Sequence, residues 1–217
     1  MSVNAIIEFG YQSRDHIVLI SPSDIYDYYR PSKCSLRVYL QHDGESQAKV
    51  SPFEEIIRRF GITHQKTHLK TFPSYMDLSK ESTKNRIART IDEVKKGTQV
   101  IYHPMLNARI NILGKDVELS GEPDFLIKED DGYLIRDAKI ARKITEKDHP
   151  EILIQLEIYG WLYEQSIGEK CDSIQVLNGR GEIVSFKYSR MGQSKKFIEE
   201  IVHIKSMQEE PYSPVGW

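Results

Sequence analysis

Little in this chain suggests a covalent staple, a membrane segment or a polyanion-binding tail. Its 217 residues include two cysteines, Cys34 and Cys171. A domain of this size does not need a disulfide framework, and two isolated cysteines do not specify one. No HExxH motif or CxxC pair signals zinc. No apolar run is long enough to cross a bilayer. The opening MSVNAIIEFGYQSRDH lacks the basic-then-apolar order of a secretion signal. These absences lead to the expectation of a reduced, cytoplasmic protein without a membrane partner. Charge of one sign is also missing: 30 Lys and Arg face 32 Asp and Glu, for a formal net charge of -2. That excludes a general electrostatic sponge for nucleic acid and leaves room only for a local basic groove.

What is present suits a single globular domain with a substantial core: 39% of residues are hydrophobic and 29% charged. After the apolar run IVLI (17–20), SPSDIYDYY offers Ser21 as N-cap, Pro22 at the first helical position and Asp24 in the first turn. Pro31 stops that helix, and CSLRVYLQ follows as a short helical piece. SPFEEIIRRFGITHQKTHL repeats the pattern, with Ser51 and Pro52 at its start and Phe53, Ile56, Ile57 and Phe60 marking an apolar face. A polar helix carries Ile87, Ile91 and Val94 at helical spacing and stops at Gly97. QVIYHPML, ARINIL, DVELSGEPDFLIK and GYLIRDAKI then read as an antiparallel meander. EKDHPEILIQLEIYGWLYEQSIG reads as a long amphipathic helix ending at Gly168, and two strands around NGRG, a last helix and the Pro-rich tail EEPYSPVGW complete the chain.

This order predicts an α/β domain: a central mixed β-sheet flanked by helices, with a helical N-terminal lobe. The expected division is a mainly helical lobe over 1–98, a catalytic core over 99–208 and an irregular tail over 209–217.

The segment GEPDFLIKEDDGYLIRDAKIAR carries charges where core is expected. Asp137 and Lys139 are two apart, so on a strand they share a face. Asp124, on the preceding strand, comes alongside Asp137 in a suitable hairpin register. Paired carboxylates repel, and a hard divalent cation relieves that repulsion through oxygen ligands. Lys139 can then orient a water or meet a phosphate, a set suited to phosphodiester hydrolysis. An ordinary hairpin with a surface Asp137–Lys139 pair is the competing reading. Gln155 and Tyr159 share a helical face four residues apart. His64 offers an imidazole to the same cation, while His68 has no role assigned; together they also read as half a zinc site.

In order and spacing, Pro123–Asp124, Asp137–Ala138–Lys139 and Gln155-x-x-x-Tyr159 resemble the PD-(D/E)XK nuclease superfamily, specifically its RecB-like exonuclease branch. The resemblance extends from Ser21 onward and implies a restriction-endonuclease-like core. It implies Mg²⁺ or Mn²⁺ held by His64, Asp124, Asp137 and the Ala138 carbonyl. Lys139 would position or activate the attacking water, and Gln155 and Tyr159 would orient substrate or lysine. The implied activity is hydrolysis of DNA, single-stranded or with free ends, by an exonuclease with a helicase or other processing partner. CRISPR-associated and DNA-repair nucleases contain such domains. Restriction- or repair-type endonuclease and non-catalytic nucleic-acid-binding module are the alternatives. Arg37, Arg136, Arg142 and Lys143 are candidate phosphate contacts or solvated charges. Arg58, Arg59 and Tyr39 are weaker candidates, and Tyr26, Tyr28 and Tyr29 suit either a strand-binding wall or the core. Cys34 sits where relatives carry the first cysteine of a [4Fe–4S] cluster. The other three cysteines are absent, so a cluster is expected only if a longer native chain supplies them.

Overall fold

The computed structural model describes residues 17–29, 33–42, 51–130, 132–192 and 194–206. Expectations for the N-terminal sixteen residues, Pro31 and the tail lie outside these. The elements are β1 (Val18–Ile20), α1 (Pro22–Tyr29), α2 (Ser35–His42), α3 (Pro52–Leu69), β2 (Met76–Asp77), α4 (Thr83–Lys96), β3 (Val100–Tyr102), β4 (Leu106–Ile112) and β5 (Lys115–Gly121). They continue with β6 (Phe125–Lys128), β7 (Tyr133–Ala138), α5 (Pro150–Ile167), β8 (Cys171–Leu177), β9 (Ile183–Phe186) and α6 (Ser194–Ser206).

Local chemistry sets the helix ends. Ser51 and Glu54 form a reciprocal capping box at the start of α3, with Pro52 just inside. Ser82 caps α4, and Gly97 ends it in the left-handed conformation at φ 72°. At α1 the Ser21 N–H donates to Asp24 at 2.7 Å. Lys205 of α6 donates to the same carboxylate and to the Leu19 carbonyl, both at 2.8 Å. Those bonds fasten the last helix to the first strand and helix.

The strands divide between two mixed sheets instead of forming one meander. Three strands run in the order β1-β5-β4 and six in the order β2-β3-β6-β7-β8-β9. β1 lies parallel to β5, so the run at 17–20 is part of a sheet. DVELSGEPDFLIK is two strands in different sheets, broken at 122–124. Pro123 has no N–H to give to a ladder, which favours a break there. β6 pairs antiparallel with β3 and β7, and β7 pairs parallel with β8. All six residues of β7 are buried.

α5 departs from the amphipathic expectation. It packs against strands of both sheets and against α1, α4 and α6, and most of its residues are buried, Gln155 and Glu157 among them. A helix apolar on nearly all sides belongs inside a layered core. Glu157 is satisfied there by the hydroxyls of Ser189 and Ser194. The face of the large sheet opposite α5 carries a second apolar cluster of Leu69, Val100, Tyr102, Phe125, Ala138 and Leu177, to which α3 contributes Leu69. No helix among the described residues is long and apolar enough to cross a membrane.

Close backbone approach fixes the exit from β7. A Cβ on Gly179 would lie 2.1 Å from the Ile140 carbonyl oxygen. The Gly179 N–H donates to the Ala141 carbonyl at 2.8 Å. Backbone cannot swing aside as a side chain does. Gly179→Ala is therefore expected to destabilise the fold by about 1–3 kcal/mol. A lowered urea midpoint with an unchanged slope checks this; an unchanged midpoint would show that the chain after Lys139 yields freely.

Candidate metal centre

Cross-strand register brings the acids together. Phe125 pairs with Arg136, so the preceding and following residues, Asp124 and Asp137, face each other at the end of the ladder. Each carboxylate is held by backbone near the other: Ala138 N–H donates to Asp124 Oδ2 at 2.6 Å, and Asp124 N–H donates to Asp137 Oδ1 at 3.2 Å. Lys139 Nζ stands 2.7 Å from Asp137 Oδ2. The pair is buried, with Asp124 at 7% and Asp137 at 3% exposure. A surface Asp137–Lys139 pair is thereby ruled out.

Burial first, and the Asp137 charge second, push the Asp124 carboxyl well above its ordinary range. At Lys139 burial opposes the charged form, but Asp137 and Asp124 outweigh it and raise the pKa. The lysine is thus a cation at neutral pH. Tyr159 is driven well above its usual value, mainly by burial and then by the two acids, so its phenol stays neutral. Gln155 Nε2 donates to the Tyr159 hydroxyl at 3.2 Å, and Gln155 Oε1 is buried without a partner among the described residues. Gly121 lets this helix come close: a Cβ there would lie 2.8 Å from the Tyr159 ring.

The arrangement fits a hard cation in donor chemistry. Two carboxylates share one ammonium, leaving a negative balance. Each of their oxygens has a second lone pair beyond the single bond described. His64 Nε2 lies 3.4 Å from the Leu177 carbonyl, and no group of three His, Cys, Asp or Glu suited to a metal occurs among the described residues. That finding also leaves no zinc site at His64 and His68. The Leu177 carbonyl that His64 approaches also accepts the Lys139 N–H at 2.9 Å.

One residue next to His64 does reach the acids. Gln65 Nε2 donates to Asp124 Oδ1 at 2.8 Å, and Tyr102 donates its hydroxyl proton to Gln65 Oε1 at 3.3 Å. Nothing in the local pattern singles out Gln65 beyond its place next to His64.

Arg136 requires correction as a phosphate contact. It is buried and donates to Gln175 Oε1 from Nε at 3.0 Å and from Nη2 at 2.6 Å. Its Nη1 lies 3.0 Å from His68 Nε2. Arginine has only donors, so that nitrogen accepts and His68 is neutral. Burial and the Arg136 charge push the His68 pKa down to about 4. His68 also packs edge-on against Phe72 and Phe125. Arg142 and Lys143 are exposed just beyond Lys139, with Lys143 4.0 Å from Asp148. Arg37 lies on α2, and its charge only partly offsets the burial and the Asp24 charge that raise the Asp27 carboxyl. Arg58 is engaged by Glu55 through two bonds of 2.8 Å. Tyr28, Tyr29 and Tyr39 pack against the main core, while Tyr26 places its ring 5.9 Å from Lys139 Nζ. Cys34 and Cys171 are free thiols, and burial pushes the latter up to about 12.

Two clefts border the centre. One, of about 400 Å³, is lined by Ser21, His103, Glu122, Asp124 and Tyr159 among others. Glu122 there lies 2.7 Å from Arg86 Nη1 and 2.7 Å from His103 Nδ1. The second, of about 430 Å³, lies on the α3 side and includes His64.

In comparisons with known proteins, the model of the PD-(D/E)XK nuclease superfamily matches residues 28–211. That span contains α3, the β6–β7 hairpin and α5. A solved structure described as the crystal structure of SSO0001 is similar over 90% of this chain and 79% of its own, at 13% identity and a TM-score of 0.43. No curated protein matches the chain.

Gln65 holds Asp124 without being a charged donor itself, the usual position of an outer-shell partner. Gln65→Leu is expected to weaken Mn²⁺ binding by roughly 10–100-fold. Titration calorimetry measures this, and circular dichroism checks that the fold is kept. Parent-like affinity would show that the carboxamide contributes nothing to the site.

Proposed function

Because the chain belongs to the PD-(D/E)XK nuclease superfamily, we propose that it is a RecB-like, Mg²⁺- or Mn²⁺-dependent exonuclease acting on DNA that is single-stranded or has free ends. The observation that carries this reading is the trio of buried Asp124 and Asp137 with half-buried Lys139, one carboxylate facing the other and the ammonium 2.7 Å from Asp137. A non-catalytic scaffold has no need to keep like charges together away from water.

Asp124 and Asp137 would hold the cation, with the Ala138 carbonyl and His64 as the further donors implied by the family resemblance. When bound, a divalent cation supplies charge neutralisation at the phosphate and a more acidic water. The protein residues divide the remaining work. Lys139, with its raised pKa, acts as a fixed cation and hydrogen-bond donor instead of as a base. It orients the attacking water and stabilises charge developing on the phosphate. Gln155 and Tyr159 form one hydrogen-bonded unit whose phenol stays protonated and lines the cleft beside Asp124. Arg142 and Lys143, exposed after Lys139, would meet neighbouring phosphates. A helicase or another nucleic-acid-processing protein is the expected partner, in repair or CRISPR-associated work.

Cleavage of end-labelled single- and double-stranded DNA with Mg²⁺, Mn²⁺ or EDTA tests the assignment. Asp137→Ala and Lys139→Ala are expected to retain the parent's circular dichroism and to lose roughly 100-fold or more of the metal-dependent rate. Parent-like cleavage by either variant would remove the trio from the mechanism. A covalently closed circle separates the modes: an exonuclease leaves it intact, and its degradation would make this an endonuclease.

A further inference from the structure

The N-terminal half of α3 does not do what its pattern suggests. Phe53, Ile57 and Phe60 share a helical stripe with His64, at offsets of four, seven and eleven residues. The stripe faces solvent: Phe53 is 69% exposed, Ile57 39% and Phe60 62%. Ile56 beside it is exposed too. Contiguous exposed apolar side chains mark a binding surface more often than scattered ones do.

The stripe ends in the second cleft, whose walls are Phe60, Thr63, His64, Thr67, Ile140 and Gly179. Two chain connections tie this cleft to the acid pair. His64 lines it, and the next residue, Gln65, donates to Asp124 at 2.8 Å. Ile140 lines it, and the preceding residue, Lys139, contacts Asp137 at 2.7 Å. The cleft is therefore one residue from the centre along two separate elements. An occupant reaching both would have an apolar flat part on one side and an anion on the other.

We propose that this cleft and the α3 stripe form a base-stacking track for an unpaired nucleic-acid strand, with the nucleobase next to the scissile phosphate seated between Phe60 and Ile140. The assignment rests on the nuclease reading and adds to it the surface that holds the unpaired strand. Stacking on a side chain needs an exposed π-face, which single strands offer and internal duplex bases do not. Stacking also tolerates any sequence, because every base has a π-face.

The test measures binding in EDTA, where cleavage is stopped, with single-stranded DNA, single-stranded RNA and blunt duplex DNA. The strands carry 2-aminopurine at successive positions. Phe60→Ala is expected to weaken single-strand binding by roughly 5- to 100-fold, leave blunt-duplex binding unchanged and abolish quenching of one 2-aminopurine position. Comparison of the DNA and RNA arms identifies the sugar class. If the parent cleaves DNA while Phe60→Ala binds single strands and quenches as the parent does, the track is overturned and the nuclease reading stands. If the parent neither binds nor cleaves any nucleic acid, the nuclease reading fails and the track with it. Should Phe60→Ala instead turn a dimeric parent into a monomer with unaltered strand affinity, the stripe belongs to a second copy and the proposal is wrong.

Discussion

Two carboxylates stand opposite each other across the β6–β7 hairpin, removed from bulk water, and much of the surrounding structure makes that tolerable. Each accepts a backbone N–H, Asp137 has an ammonium and Asp124 a carboxamide. These bonds do not complete the charge balance, because two acids meet one lysine. The remainder is expressed as the raised pKa of Asp124: without a cation, the site favours a proton. A buried like-charge pair is unfavourable for folding on its own. It persists because backbone geometry in a fully buried strand leaves the side chains no alternative position.

The scaffold's unusual features converge on that strand. β7 is buried throughout, between β6 and β8, and α5 closes one face with Gln155 and Tyr159. Gly121 permits the approach of the Tyr159 ring, and Gly179 permits that of the chain leaving β7. Bulk at either position would move a functional group and not merely a packing residue. On the far face, Arg136 with Gln175 and His68 forms a second polar set, held neutral at the imidazole. It stabilises the attachment of α3, and α3 in turn delivers Gln65 to Asp124.

Local chemistry explains which parts of this could be read from sequence. Helix ends at Ser51, Pro52 and Gly97 were legible because capping depends on neighbouring residues. The Asp124–Asp137 approach followed from alternation plus a hairpin, both local. The assignment of strands to two sheets was not legible, since pairing of β3 with β6 skips the β4–β5 hairpin and depends on tertiary packing. Arg136 looked like a free cation because charge usually implies solvent; its partners Gln175 and His68 lie 39 and 68 residues away in sequence. The apolar stripe of α3 was legible as apolar, but its exposure was not. Periodicity records that a face is apolar, not what covers it.

That last point bears on how a nearly neutral domain would capture a polyanion. With Arg136 internal and Arg58 engaged by Glu55, the cations near the centre are few, chiefly Lys139 and the exposed Arg142 and Lys143. Phosphate contacts made by so few charges release few counterions, so electrostatics alone give weak and short-ranged attraction. Affinity then has to come from uncharged contacts and from the cation shared by the acids. An apolar stripe that meets the acid pair within one residue supplies the first beside the second. It would favour strands whose bases are already unpaired, because opening a duplex to reach Phe60 would consume the stacking energy gained there.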